Sequence, residues 1–220
     1  SKTGEGTSCI KRIWIIIYIF KIVFYTMNEG QNYRFGQWKV WKMKSKTASE
    51  HQKMSSKDIT CGIITLSDSR KSKKADLSGQ YMAEEIEARY TLKSRSLIPD
   101  EKEDLINSIE DMIADNTDVI LTTGGTGLDP RDITVETVES LFEKKLDGFG
   151  EMFRKKSYDE IGAAALLSRA TAGIYKKTII FSMPGSPNAV KTAFSIIIDE
   201  LPHFVHHVKK WWNLISSLII

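Results

Sequence analysis

Cysteine is scarce, with two in 220 residues. Cys9 and Cys61 cannot build a disulfide framework, and neither has a partner at metal-ligand spacing. Cys61 lies in an apolar, β-branched stretch, where a thiol serves as a small core residue. A reducing, cytoplasmic setting is the resulting expectation. Long apolar runs are also lacking. Residues 13–25 (IWIIIYIFKIVFY) fall short of the roughly 20 residues of a membrane span, and Lys21 interrupts them. Lys11 and Arg12 in front imitate the start of a signal peptide, yet no small-residue cleavage site follows. No glycine-rich segment leads into GK[ST], and none reads GxGxxG, so the P-loop and the dinucleotide fingerprint are both excluded. From residue 54 on there is no basic stripe and no base-stacking aromatic cluster, which argues against nucleic-acid binding.

Charge divides the chain. Residues 1–53 hold 10 Lys+Arg against 3 Asp+Glu, and the remainder holds 21 against 25. A mildly acidic body thus carries a basic N-terminal extension without helical or strand period. Residues 1–53 are expected to lie outside the native domain, with Met43 and Met54 as plausible starts. A membrane anchor and a regulatory arm are the alternatives. The domain is expected over residues 54–208, with a C-terminal tail at 209–220 that is either appended or packs on a partner.

From Asp58 on, short apolar runs alternate with amphipathic stretches. Strands are expected at residues 59–66, 92–98, 119–123 and 178–183. The second, with alternating Lys and Arg, reads as an edge. Helices are expected at 79–90, 102–114, 133–146, 160–171 and 189–201. This alternation predicts an α/β fold, a three-layer Rossmann-like domain with a mostly parallel central sheet. Right-handed crossovers put every strand's C-terminal end on one rim, where such folds bind ligands. The polar clusters all follow strands: Ser67-Asp68-Ser69, Pro99-Asp100-Glu101, the Gly124 loop and Met183-Pro184-Gly185-Ser186. Four segments are therefore expected to meet in one crevice.

The most informative segment is TTGGTGLDPRD, residues 122–132. Glycines let the backbone approach a ligand, and the helix start beyond them favours anions. Thr123, Gly124, Gly125, Thr126 and Gly127 are the expected cradle. Mg²⁺ binds through one or two carboxylates plus phosphate oxygens, which makes Asp132 and Asp100 the candidate ligands at the rim. Each aspartate could instead cap a helix. Arg131 is a candidate for neutralising phosphate charge, or a solvent-facing residue. Ser186, backed by Pro184 and Gly185, reads as a second cradle or as a simple helix cap followed by Pro187. His203, His206 and His207, in a basic tail, are not expected to hold a metal. The basic run 70–74 reads as a solvated loop.

TTGGTG with RDIT downstream, DGFGE at 147–151, SRATAG at 168–173, MPGSPNAV at 183–190 and Asp76-Leu-Ser-Gly79 resemble the MogA/MoaB family of molybdenum cofactor biosynthesis. The resemblance spans roughly residues 58 to 205, closest to archaeal-type MoaB. It implies a Rossmann-like domain that assembles as a homotrimer or hexamer. It also implies Mg²⁺-dependent adenylylation of molybdopterin by ATP, ahead of molybdenum or tungsten insertion by a downstream enzyme. By the same resemblance Asp100 and Asp132 are the functional aspartates. Ser67, Asp68, Ser69, Asp76, Ser78, Gly79, Pro184, Gly185, Ser186 and Glu151 are substrate- or nucleotide-binding candidates. A non-catalytic pterin-binding or scaffold protein on the same fold is the alternative.

Overall fold

The computed structural model describes residues 58–68, 72 and 75–219, with side chains up to Leu214. The expectations for residues 1–53 and Ser69, and for most of the run 70–74, lie outside the described residues. Six strands form one sheet: β1 (Thr60–Leu66), β2 (Thr91–Ile98), β3 (Val119–Thr123), β4 (Lys144–Lys145), β5 (Thr171–Tyr175) and β6 (Thr178–Met183). Their order is β2-β1-β3-β6-β5-β4, with β2, β1, β3 and β6 mutually parallel and β5 antiparallel to both of its neighbours, β6 and β4. The helices are α1 (Leu77–Glu87), α2 (Lys102–Ala114), α3 (Thr134–Leu141), α4 (Asp147–Ile161), α5 (Pro187–Ile197) and α6 (Leu201–Ile219).

Alternation along the central strands builds three layers, because successive side chains point to opposite faces. Cys61, Ile63, Val119, Leu121, Ile179 and Phe181 pack with α1, α4, α5 and α6 on one face. Ile64, Leu66, Ile120 and Ile180 pack with α2 and α3 on the other. The α/β expectation therefore holds, with β2 at the edge as its charges suggest. Cys61 is fully buried, and burial, aided by the Asp118 charge, pushes its thiol up to about 12. It is a core residue and an inert one. Among the described residues no helix is long and apolar enough to cross a membrane.

The third quarter of the chain departs from the sequence expectation. The helix placed at 160–171 is instead the end of α4, a 3₁₀ stretch Gly162–Leu167 and the start of β5. Gly162, at φ 63, ends α4 in a conformation that alanine propensity does not foresee. β5 is then recruited by hairpin pairing with β6, a tertiary contact that overrides weak intrinsic preference. The helix placed at 133–146 stops at Leu141, because Phe142 turns extended and Lys144–Lys145 pairs with β5. The expected tail at 209–220 continues α6, whose Leu201, Val205 and Val208 are buried in the core.

Candidate active site

The sheet order reverses direction at β1, with β2 on one side and β3 on the other, which opens a crevice beyond the strand ends. The four rim segments meet there as expected. Asp68 N–H donates to Asp100 Oδ2 at 3.0 Å, and Asp100 N–H donates back to Asp68 Oδ1 at 3.1 Å. Ser67 N–H bonds the Ile98 carbonyl at 3.0 Å. Gly124 N–H reaches the Met183 carbonyl at 3.2 Å, which ties the third and fourth segments together. A Cβ on Gly185 would lie 3.3 Å from Gly124 Cα, so those two loops pack backbone to backbone.

Glycine is required at two positions of the cradle. Gly124 sits at φ 99, and a Cβ there would lie 2.2 Å from the Leu66 carbonyl oxygen. Gly125, at φ 59, would set a Cβ 2.9 Å from Asp100 Oδ1 and 2.4 Å from Thr134 Oγ1. Thr134 then locks the loop to α3, its hydroxyl donating to Gly124 C=O at 2.9 Å and its N–H to Gly125 C=O at 2.9 Å.

Both candidate aspartates stay free of helix capping. The residue that caps α2 is Glu101 and the one that caps α3 is Ile133. Asp132 Oδ2 accepts from Asp129 N–H at 2.9 Å, and the same oxygen would lie 2.6 Å from a Cβ on Gly127. Asp132 is thus held against the glycine loop. Asp100 Oδ1 is buried without a hydrogen-bond partner. Burial pushes the Asp100 carboxyl above the usual carboxylate range; the Asp68 N–H pulls it back, and the charges of Asp68 and Asp132 push it up further. A buried carboxylate oxygen within the field of other carboxylates is unfavourable for the protein alone.

One consequence concerns stability. The native state binds the Asp100 proton more tightly than the unfolded chain does, so stability declines as pH rises past the ordinary Asp value. Asp100→Asn removes that loss. It is expected to raise the neutral-pH Tm of the ligand-free protein by about 2–4 °C, as a thermal melt would show. Turnover is expected to fall in the same variant.

A cavity of about 500 Å³ opens beside these groups. Gly124, Gly125, Thr126, Gly127, Asp132, Pro184, Gly185 and Ser186 line it. Its far wall carries Phe153, Ser157 and Glu160 of α4, Ser168, Asn188 and Thr192. Sequence reasoning missed Phe153, Ser157 and Glu160, because helical spacing gives no sign of which face of α4 borders a ligand. A second cavity of about 380 Å³, lined by Lys102, Leu128, Glu136 and Arg169, shares Asp132 with the first.

Other predicted residues take supporting positions. Asp76 is buried and caps α1, accepting from Gly79 N–H at 2.9 Å, Thr65 Oγ1 at 2.8 Å and Arg95 Nη2 at 3.0 Å. Ser78 Oγ donates to Gly185 C=O at 2.8 Å, and Thr123 Oγ1 donates to Pro184 C=O at 3.0 Å; both hydroxyls hold the second loop from behind. Ser186 caps α5 through Ala189 N–H at 3.2 Å, with Pro187 at the first turn. Arg131 is committed to carboxylates, with Nη2 2.8 Å from Asp68 Oδ2 and Nη1 2.8 Å from Glu101 Oε1. The Asp100 N–H and Arg131 hold the Asp68 carboxyl below its usual range. Glu151 is exposed on α4 and is not among the residues that line the 500 Å³ cavity. Among the described residues no three-residue His/Cys/Asp/Glu group is placed to hold a metal.

Comparison with known proteins agrees with this geometry. The family described as "Probable molybdopterin binding domain" matches residues 62–203. A molybdopterin adenylyltransferase of Pyrococcus furiosus is 42% identical over 166 residues, covering 73% of this chain and 98% of the relative. Molybdenum cofactor biosynthesis protein B of Bacillus subtilis is 42% identical over 168 residues, covering 74% and 98%. The crystal structure of tungsten cofactor synthesizing protein MoaB from Pyrococcus furiosus superimposes with a TM-score of 0.66 at 42% identity, covering 70% of this chain and 99% of that one. With its glycine loop, paired aspartates and strand order in place, the chain belongs to the molybdopterin-binding domain family of molybdenum cofactor biosynthesis.

Proposed function

We propose that this chain is a molybdopterin adenylyltransferase acting on molybdopterin and ATP with Mg²⁺. The observation that carries the reading is the buried, unpartnered Oδ1 of Asp100, set beside Gly125 and within the field of Asp132. Two carboxylates without a third His, Cys, Asp or Glu ligand suit a hard cation that completes its shell with phosphate oxygens and water. Asp100 and Asp132 would hold Mg²⁺, which when bound neutralises charge on the reacting phosphates.

The chain's own groups do the positioning. The cradle at Gly125–Gly127 supplies N–H groups, and the N-terminus of α5 supplies dipole, for anionic oxygens. Phe153 and Ile161 give the cavity an apolar wall for the pterin. An oxygen of the molybdopterin phosphate attacks the α-phosphorus of ATP. The bond from the α-phosphorus to the bridging oxygen breaks, and pyrophosphate leaves with that electron pair. Such transfers rest on alignment and charge stabilisation more than on covalent help. The product presents an activated dithiolene for molybdenum or tungsten insertion by a downstream enzyme.

A homotrimer or hexamer in the cytosol is the proposed working form. Large apolar side chains stand exposed along α4 and the following 3₁₀ stretch, including Ile161 at 60% and Leu166 at 76%, which is characteristic of a surface covered by a partner. The function is tested by incubating the protein with molybdopterin, ATP and Mg²⁺. Adenylyl-molybdopterin and pyrophosphate are expected in equal amounts. Tight pterin binding without product would assign the scaffold role instead.

A further inference from the structure

Arg169 lies two residues before β5, in a segment with no glycine cradle or carboxylate of its own. Its guanidinium nevertheless ties three parts of the crevice together. Nε donates to the Thr126 carbonyl at 3.2 Å, and Nη2 donates to the Asp132 carbonyl at 3.1 Å. Nη1 pairs with the Glu136 carboxylate on α3. The Arg169 hydrogen bond is the largest cause holding that carboxyl below its usual range, so the pair is ionised and its charges offset one another. Arg169 lines the neighbouring cavities and is not among the residues that line the 500 Å³ cavity. It stands behind the loop.

That position has a geometric effect. In a trans peptide the C=O and the next N–H point in opposite directions, and no peptide among the described residues is cis. Holding the Thr126 carbonyl on the Arg169 side therefore turns the Gly127 N–H to the opposite side, where Gly127 lines the cavity. The bond to the Asp132 carbonyl fixes the backbone that carries the Asp132 carboxylate. Released, the Thr126 carbonyl could swing towards the anion and repel it.

We propose that Arg169 is the positioning residue of the crevice, one that sets the glycine cradle in its anion-binding orientation and anchors the backbone of Asp132 without touching substrate. This inference rests on the adenylyltransferase reading. A planar fork with five donors can hold two carbonyls and a carboxylate at once, whereas an ammonium on a flexible stem cannot hold all three in one plane.

The test compares wild type, Arg169→Ala and Arg169→Lys as full chains with molybdopterin, ATP and Mg²⁺. Arg169→Ala is expected to lower kcat by roughly 30- to 100-fold, as loss of alignment does, with KM for the pterin changed much less. Arg169→Lys is expected to recover only a minor part. Millimolar guanidinium is expected to restore Arg169→Ala turnover at least tenfold, and potassium at equal ionic strength is not. Unchanged kcat would overturn the proposal. So would a loss that tracks a falling Tm and resists guanidinium, since the role would then be structural alone. A parallel measurement follows the Gly127 amide by ¹⁵N NMR as inorganic pyrophosphate is added. Its shift is expected in wild type, absent in Arg169→Ala and regained with guanidinium. If wild type shows that shift but forms no adenylyl-molybdopterin, the transferase reading fails and the positioning role stands. If the shift survives in Arg169→Ala, the positioning role fails whatever the turnover.

Discussion

Replacing Asp132 with asparagine is expected to lower kcat by about 10²–10³-fold while the protein stays folded. Asparagine keeps the shape of the side chain and a carbonyl oxygen that can accept from Asp129 N–H, now held at 2.9 Å. The turn ahead of α3 therefore survives, and the close contact with Gly127 is preserved. What disappears is the negative charge, and with it one of the two proposed anchors for the cation. The change has a second signature. The Asp132 charge is one of the causes that raise the Asp100 carboxyl, so Asp100 is expected to titrate at lower pH in the variant. Steady-state kinetics with saturating molybdopterin and ATP reads the first effect, and carboxyl ¹³C NMR reads the second. A variant with near wild-type turnover would remove Asp132 from the chemistry.

Asp76→Ala is expected to act on the fold rather than on the reaction, costing about 3 kcal/mol because it deletes the α1 cap and the partly buried ion pair with Arg95 together. Asp76 is 0% exposed and gathers the Thr65 hydroxyl of β1, the Gly79 N–H of α1 and the Arg95 guanidinium of β2. Deleting it uncaps α1 and removes the carboxylate that faces Arg95 across the strand edge. A Tm drop on the order of 10 °C follows for a chain of this size. Burial alone would raise the Asp76 carboxyl, but the Gly79 N–H, the Thr65 hydroxyl and Arg95 outweigh it and hold it below the ordinary Asp range. Its stabilisation is therefore complete above that ordinary value and is lost as pH falls through the lower native value. Denaturation curves between neutral and strongly acidic pH should show wild type and variant converging at the acid end. If Asp76→Ala instead stayed fully folded with a raised KM for ATP, Asp76 would belong to the substrate site.

The contrast between these two aspartates shows how far the sequence could be read. Strand-then-cluster order located the rim, and Asp68, Asp100, Gly124 and Gly185 do meet there. The turn at Gly124 and Gly125 was legible because positive φ and close backbone approach leave a residue signature. Motif membership, however, does not separate a residue that faces a ligand from one that supports the wall. Asp76, Ser78, Thr123 and Ser186 all make hydrogen bonds to the protein itself. The difference is set by which way a side chain points after packing. β5 was illegible for a related reason. Ala172 and Gly173 have little strand preference, and only the neighbouring β6 ladder makes them a strand. Arg169 carried only one clue, its place in SRATAG, because its partners lie 33 to 43 residues earlier.

The most direct measurement uses ATP labelled at the α-phosphate, incubated with molybdopterin, Mg²⁺ and either wild type or Asp132→Asn. Wild type is expected to move the label onto the pterin and release one unlabelled pyrophosphate per transfer, and Asp132→Asn is expected to leave it in ATP. Label that stays in ATP with folded, pterin-bound wild type, or that appears in ADP with release of inorganic phosphate, would contradict adenylyl transfer at this crevice.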